Sequence, residues 1–299
     1  MTVRAAWWCA VWVIQVVAGA GCAQMPTRFP GTQIPDVPVK LTDVPARLTD
    51  VPAKLPPEAV DILGAFAFQW TLKTSEVTRN PQDQEERIGR VVNRLTGAAK
   101  QNKKYAEVAG KFQWEVKLLK DDQKPNAFAF PNGKIGVYTG LFRVTKDEEP
   151  KLAAVLAHEI VHALARHVAE RMDKELQRIL ALAAMRGELK EAGINSDARR
   201  RILIAMGLSS QVADILPFSR MHESEADHEG LLLMAQAGYD PQEAIDFWER
   251  MERFTGGDRT PELLSTHPSY ETRSKHLKEW KPEAQRHYKQ YRSSLPGKG

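Results

Sequence analysis

Apolar and polar positions divide the chain into three kinds of text. The first is an apolar run from Ala5 to Gly21, broken only by Gln15 and preceded by a single basic residue, Arg4. It is short for a membrane helix of about 20 residues and ends in small residues, which predicts a signal peptide over residues 1–21. The second, residues 22–57, holds eight of the chain's 18 prolines and repeats a seven-residue unit that begins at Asp36, Asp43 and Asp50. A proline in every unit forbids a continuous helix, so the repeat predicts an extended tether and not a coiled coil.

The third kind begins near Glu58 and reads as globular. Apolar spacing of helical period marks 58–78 and 85–100 as amphipathic helices. Phe112–Leu119 reads as a strand, and Phe130 and Ile135 flank Pro131-Asn132-Gly133 as the two arms of a hairpin. Helical spacing dominates afterwards. Lys151–Glu175 reads as one uninterrupted helix, and breaks follow near Gly193, Pro217, Gly238 and Gly256. Asp240 followed by Pro241 and Glu243 has the form of a capped helix start. The expected fold class is therefore α+β and mostly helical, with a domain over 58–285. Residues 278–299 carry six Lys or Arg against two Glu, which predicts a solvated basic tail over 286–299.

Charge adds little to this picture. The 42 basic and 38 acidic residues leave +4, too weak a balance for a nucleic-acid binder. Cysteine adds more. Cys9 and Cys22 are the only two, so a disulfide framework and thiolate metal sites are excluded downstream. Small residues fill the positions before Cys22, as in a bacterial lipoprotein signal, although Gly19 stands where such signals usually carry an aliphatic residue. Export, lipidation of Cys22 and attachment to a membrane surface are the expectation.

The helix over Lys151–Glu175 carries His158-Glu159-Ile160-Val161-His162 at its centre. At about 100° per residue, His162 lies about 40° round from His158, so both imidazoles leave one face one turn apart. That spacing lets two neutral imidazoles converge on one Zn²⁺. Glu159 lies about 60° beyond His162, beside the metal, where a general base for an attacking water belongs. Alanines at 153, 154, 157, 163 and 165 bury this helix, and a buried His-Glu-His without a metal would leave polar groups unsatisfied. A catalytic zinc needs a third protein ligand and an open fourth position. Val168 stands where a metzincin histidine would be. His167, about 140° round from His162 on a continuous helix, is a poor ligand. Downstream, a helix starting at Ser219 offers His222, Glu223, Glu225 and Asp227, with Glu223 and Asp227 on one face.

Five motifs in order then carry a resemblance: the hairpin Asn126–Gly133, His158–His162 with its continuation to Arg171, Glu223-Ser-Glu-Ala-Asp227, Ala237-Gly-Tyr-Asp-Pro241, and His267-Pro with Arg273. Together they resemble the HtpX/CaaX-prenyl-protease family of gluzincin metallopeptidases, over roughly 58–280. The resemblance implies a zincin-like fold with an active-site helix and a small antiparallel sheet. Its edge strand, with Asn126, Ala127, Phe128 and Ala129, would bind substrate; Phe128 and Phe130 are expected in the core. It implies one Zn²⁺ per chain on His158, His162 and Glu223, with Glu225 and His222 as rival ligands, and Glu159 as general base. Asp227 would hold a ligand histidine's other ring nitrogen. His267 and Arg273 would stabilise the oxyanion, unless His267 occupies the metal at rest. Pro131-Asn132-Gly133 replaces the family's frequent Pro-Gly-Gly. With no later membrane span, the chain resembles the exported lipoprotein-type branch, of BepA and LoiP type. That branch implies unfolded or unassembled envelope proteins as substrates and a periplasmic, outer-membrane address. The competing expectation is an envelope chaperone or assembly factor with a structural or latent zinc site. Residues 175–215 are expected as packing helices or a mobile lid.

Overall fold

In the computed structural model the helical periodicity of the first globular stretch becomes α1 (Pro57–Thr74) and α2 (Gln82–Gln101). Ile88, Val91, Val92, Leu95 and Ala99 recur along one face of α2, and all five are buried. The structure describes residues 57–77, 82–174, 219–255 and 270–294, together with positions 55, 190, 191, 193 and 195. The leader, Cys22, the repeat, most of the 175–215 segment and His267 lie outside the described residues. The chain forms two compact units, residues 1–63 with 172–215 and residues 64–171 with 216–299. In the first, Val60, Leu63 and Met172 are buried, and the Leu55 amide donates to Asp173 Oδ1 at 2.7 Å. The second holds every candidate site residue that is described.

After the short α3 (Ala106–Lys111), three strands form one sheet: β1 (Glu115–Leu119), β2 (Ala127–Phe130) and β3 (Lys134–Tyr138). β2 and β3 form the expected hairpin, with Phe130 opposite Lys134. Its turn places Asn132 at φ 62° and Gly133 at φ 76°. Asn is among the few non-glycine residues that accept this left-handed conformation, so Asn132 fills a glycine's place at little cost.

The sheet is not purely antiparallel as expected. Its order is β1-β3-β2, and β1 runs parallel to β3. The cause is the Lys120–Asn126 connection, which carries the chain over the end of β3. There the Thr139 amide donates to Leu119 O, Gly140 to Asp121 O and Tyr138 to Asn126 O, each at 2.9 Å. The outer side of β1 is capped: Val77 bridges Leu119, and the Lys120 amide donates to Glu76 O at 2.7 Å. β2 is the other edge, and among the described residues it is paired on one side only.

The alternation along β2 also differs from expectation. Ala127 and Ala129 face the core, while Phe128 and Phe130 lie half-buried on the opposite face. There Phe128 meets Phe130 at 5.2 Å and Tyr138 at 5.9 Å. A strand packed directly on a helix needs small residues on that face, and the helix on β2 is α5.

α4 (Leu141–Thr145) leads into α5 (Glu149–Leu164), which is buried at every position from Lys151 onward. The long helix read from the sequence is in fact broken. Arg166 takes φ 63°, and α6 (His167–Lys174) leaves at 58° to α5. α7 (Arg220–Gln236) starts at Ser219, whose Oγ accepts from the His222 amide at 3.2 Å. It ends in a Schellman turn, in which the amides of Gly238 (φ 81°) and Tyr239 donate to Ala235 O and Met234 O. α8 (Gln242–Thr255) opens as expected, with Asp240 Oδ1 accepting from the Gln242 amide at 2.9 Å. α9 (Tyr270–Ser294) continues through most of the segment expected as a solvated tail. Its Tyr291 ring packs on Gly238, where a Cβ would come within 2.1 Å, while Arg286, Lys289 and Arg292 are exposed.

α5 is the centre of this unit, with α2, α7, α8 and β2 packed around it. Gly230 sets its spacing from α7, because a Cβ there would stand 3.1 Å from the His158 backbone nitrogen. Among the described residues, no single helix is long and apolar enough to cross a membrane.

Candidate metal centre

α5 presents His158 and His162, and α7 presents Glu223, all three buried. Their ligand atoms converge: His158 Nε2 lies 3.0 Å from His162 Nε2 and 3.6 Å from Glu223 Oε2, and His162 Nε2 lies 3.4 Å from Glu223 Oε1. Tetrahedral zinc with bonds of about 2.0–2.2 Å sets its ligand atoms about 3.3–3.5 Å apart, so the three donors fit that ion. They form the one such group among the described residues. The rival donors stand elsewhere. Glu225 is tied to Lys104, and His222 Nε2 faces Glu170 Oε2 at 3.1 Å. Glu159, one residue beyond His158, is 2% exposed.

Behind His158 lies a set of buried charges. Its Nδ1 is 2.9 Å from Asp227 Oδ1. Asp227 Oδ2 accepts from Arg273 Nε at 2.6 Å, and Glu223 Oε2 accepts from Arg273 Nη2 at 2.7 Å. Trp248 packs against both Arg273 and His158, with the guanidinium 4.0 Å above its ring and the imidazole ring 5.7 Å away, edge-on. Burial pushes the His158 pKa down, but the Asp227 and Glu223 carboxylates outweigh it and hold the imidazole above its ordinary value. Arg273, for which the resemblance implies an oxyanion contact, stands between two carboxylates and is 2% exposed.

The family model described as Peptidase family M48 matches residues 82–281. The chain belongs to this family. The ordered motifs of the sequence had pointed to it. The family's metal is zinc, and the His158–His162–Glu223 group suits that ion. Among its relatives is the mitochondrial metalloendopeptidase OMA1 of Schizosaccharomyces pombe, 41% identical over 176 residues, which cover 58% of this chain and 48% of that one. The Arabidopsis thaliana protein of the same name is 42% identical over 165 residues, covering 55% of this chain and 31% of its own length. The beta-barrel assembly-enhancing protease of Escherichia coli K12 is 33% identical over 158 residues, covering 52% and 32%. The matched part thus spans half or less of these relatives.

The other ligand-bearing side of this M48 centre contains residues that sequence reasoning passed over. His162 Nδ1 lies 3.1 Å from Nδ1 of His167, which is itself buried. His167 Nε2 lies 3.2 Å from Glu225 Oε2, and Lys104 Nζ donates to Glu225 Oε1 at 2.9 Å and to Glu229 Oε1 at 2.8 Å. The His167 ring stacks on His222 at 4.3 Å and 14°. Helical spacing set His167 aside because it assumed no break; the turn at Ala165–Arg166 brings the ring back against His162. Arg171, the last residue of the second motif, had no role assigned to it. Burial lowers its guanidinium to about 10, against the opposing pull of the Glu159 and Glu223 carboxylates. The hint in the sequence was that both residues lie in the continuation of the metal motif, His162 to Arg171.

Proposed function

We propose that the chain is a zinc-dependent metalloendopeptidase with Glu159 as its general base. The observation that carries this reading is the convergence of His158, His162 and Glu223, all three buried, with the buried Glu159 next to His158 on the same helix. His158, His162 and Glu223 would hold zinc, which when bound would supply Lewis-acid polarisation of the scissile carbonyl and lower the pKa of an attacking water. Glu159 takes the proton from that water and returns it to the leaving amine. Asp227 holds the ring of His158, and Arg273 keeps Glu223 and Asp227 together, a positioning task beside the oxyanion contact that the family motif implies for it. His267 retains the oxyanion role as an expectation carried by the family motif.

Substrate enters as an extended segment along β2, pairing its backbone with residues 126–129, including Asn126, Ala127, Phe128 and Ala129. The position of β2 at the sheet edge and against α5 supports this, and backbone pairing suits targets of varied sequence. The substrates are unfolded or unassembled proteins of a bacterial envelope, reached from a lipid anchor at Cys22. The Escherichia coli relative's name, which speaks of beta-barrel assembly, supports unassembled proteins as substrates, while the OMA1 relatives are mitochondrial.

Digestion of unfolded casein by the purified chain tests the chemistry. Activity is expected to vanish with chelator and return with zinc. The Glu159→Gln variant should bind zinc as wild type does and cleave about 10²–10⁴-fold more slowly. Cleavage at the wild-type rate in the variant overturns the mechanism. A protein that binds zinc but cleaves nothing, with Glu159→Gln leaving its cellular role intact, would be a chaperone instead.

A further inference from the structure

We infer that His167 is a positioning residue for the metal centre, holding His162 in one tautomer and one orientation through a directed chain of hydrogen bonds that ends at Glu225 and Lys104. The inference rests on the reading of His162 as a zinc ligand through Nε2. That nitrogen faces the donor group, 3.0 Å from His158 Nε2 and 3.4 Å from Glu223 Oε1. A neutral imidazole that offers Nε2 to a metal carries its proton on Nδ1. The Nδ1–H of His162 points at His167 Nδ1 across 3.1 Å, so His167 Nδ1 must accept. His167 then carries its own proton on Nε2, 3.2 Å from Glu225 Oε2, which can only accept. Lys104 Nζ donates to the other Glu225 oxygen at 2.9 Å.

No other assignment satisfies the same atoms. A proton on His167 Nδ1 would set two N–H groups against each other, and in the neutral ring it would also leave a lone pair facing the Glu225 carboxylate. A doubly protonated His167 has the first fault. The ring cannot turn away from this choice, because it is buried and stacked on His222 at 4.3 Å. The left-handed turn at Arg166 (φ 63°) is what places it there. The arrangement does for His162 what Asp227 does for His158, with a neutral acceptor in place of a carboxylate. Ligand histidines commonly have such an outer partner, and its loss weakens metal binding about 10–100-fold.

The test is the zinc dissociation constant of the full chain and three variants, measured by competition with a chromophoric chelator. His167→Leu removes the acceptor and should weaken zinc about 10–100-fold. His167→Asn puts a carbonyl oxygen near the place of Nδ1, keeps the acceptor, and should stay near wild type. His162→Ala serves as reference and should weaken zinc more than either. In the zinc-loaded, ¹⁵N-labelled wild type, long-range proton–nitrogen spectra should show His167 as the Nε2–H tautomer. Wild-type affinity in His167→Leu, equal loss in Leu and Asn, or an Nδ1–H or cationic His167 each overturns the inference. If both variants fail to fold, the tautomer spectrum of wild type decides alone. Failure of the wild type to bind zinc, or tight binding by His162→Ala, would instead overturn the ligand assignment beneath it.

Discussion

Behind His158 stand a carboxylate and a guanidinium, Asp227 and Arg273, both buried and joined at 2.6 Å. Behind His162 stands a second imidazole, His167, whose hydrogen bonds run out to Glu225 and Lys104, with side chains 40% and 48% exposed. The two histidines are one turn apart on α5, yet their surroundings obey different rules. On the first side, charges are held in a region of low dielectric, where each has value only while its partners remain. On the second, direction is set by which nitrogen carries a proton, and the only formal charges sit where water screens them. One flank fixes its ligand by charge, the other by tautomer. Removing a charge should therefore weaken the first flank and barely disturb the second.

The largest effect should come from Arg273→Met. It leaves Glu223 and Asp227 buried together with their shared cation gone, and breaking a buried pair in this way costs about 3–5 kcal/mol. Urea denaturation of the metal-free protein measures it, and a loss below about 1 kcal/mol would mean that the His158 flank is not held by charge. Asp227→Asn should be next. The amide keeps the shape beside His158 Nδ1 but not the charge, and zinc affinity should fall about 10–100-fold while the fold survives. An unchanged affinity would make the carboxylate dispensable and the two flanks alike.

Gly230→Ala strains the same flank through packing. The new Cβ meets the His158 backbone at 3.1 Å, and backbone in a buried helix yields little, so about 1–3 kcal/mol of stability should be lost. The displacement moves Glu223 and Asp227, both on α7, away from His158. The His162–His167 contact, made between α5 and α6, should keep its tautomer spectrum. A variant in which both flanks change together would show that α5 and α7 move as one body.

The difference between the flanks also explains what the sequence could announce. His158, Glu159 and His162 are legible because helical spacing alone puts them together, and Glu223 and Asp227 share a face for the same reason. Turn chemistry announced Gly238, Asp240 and Asn132-Gly133, where residue type and backbone conformation agree. His167 was not legible. Its place depends on a left-handed residue, and that residue is Arg166, a type that does not favour positive φ. Arg273 could be found by its motif but not assigned its partners, since both carboxylates lie on another helix, 46 and 50 residues earlier. The parallel pairing of β1 with β3 was hidden for a related reason: the Lys120–Asn126 connection is long enough to cross a strand end, and strand pattern does not say on which side it lands. Phe128 and Phe130 misled because hydrophobicity was read as burial, whereas the contact with α5 selects the alanines between them.

The smallest effect belongs to Lys104→Met, and it is the most exacting test of the contrast. Burial alone would raise the Glu225 carboxyl, but Lys104 and His167 outweigh it and hold it below its ordinary value of 4.5. A carboxyl depressed in the folded state contributes stability above its unfolded pKa, and that contribution is lost as pH falls through the lower, folded value. The Lys104→Met variant should therefore be less stable than wild type by about 0–1 kcal/mol near neutrality. The gap should close below about pH 4.5, and also in about 1 M salt, where the screening length is about 3 Å. Zinc affinity should change far less than in His167→Leu, because Glu225 still accepts from His167 Nε2 after its outer cation is gone. Chelator competition at neutral pH measures this. A loss as large as that of His167→Leu would mean that charge at the surface, and not the tautomer of His167, holds His162. The two sides of the centre would then work by the same rule.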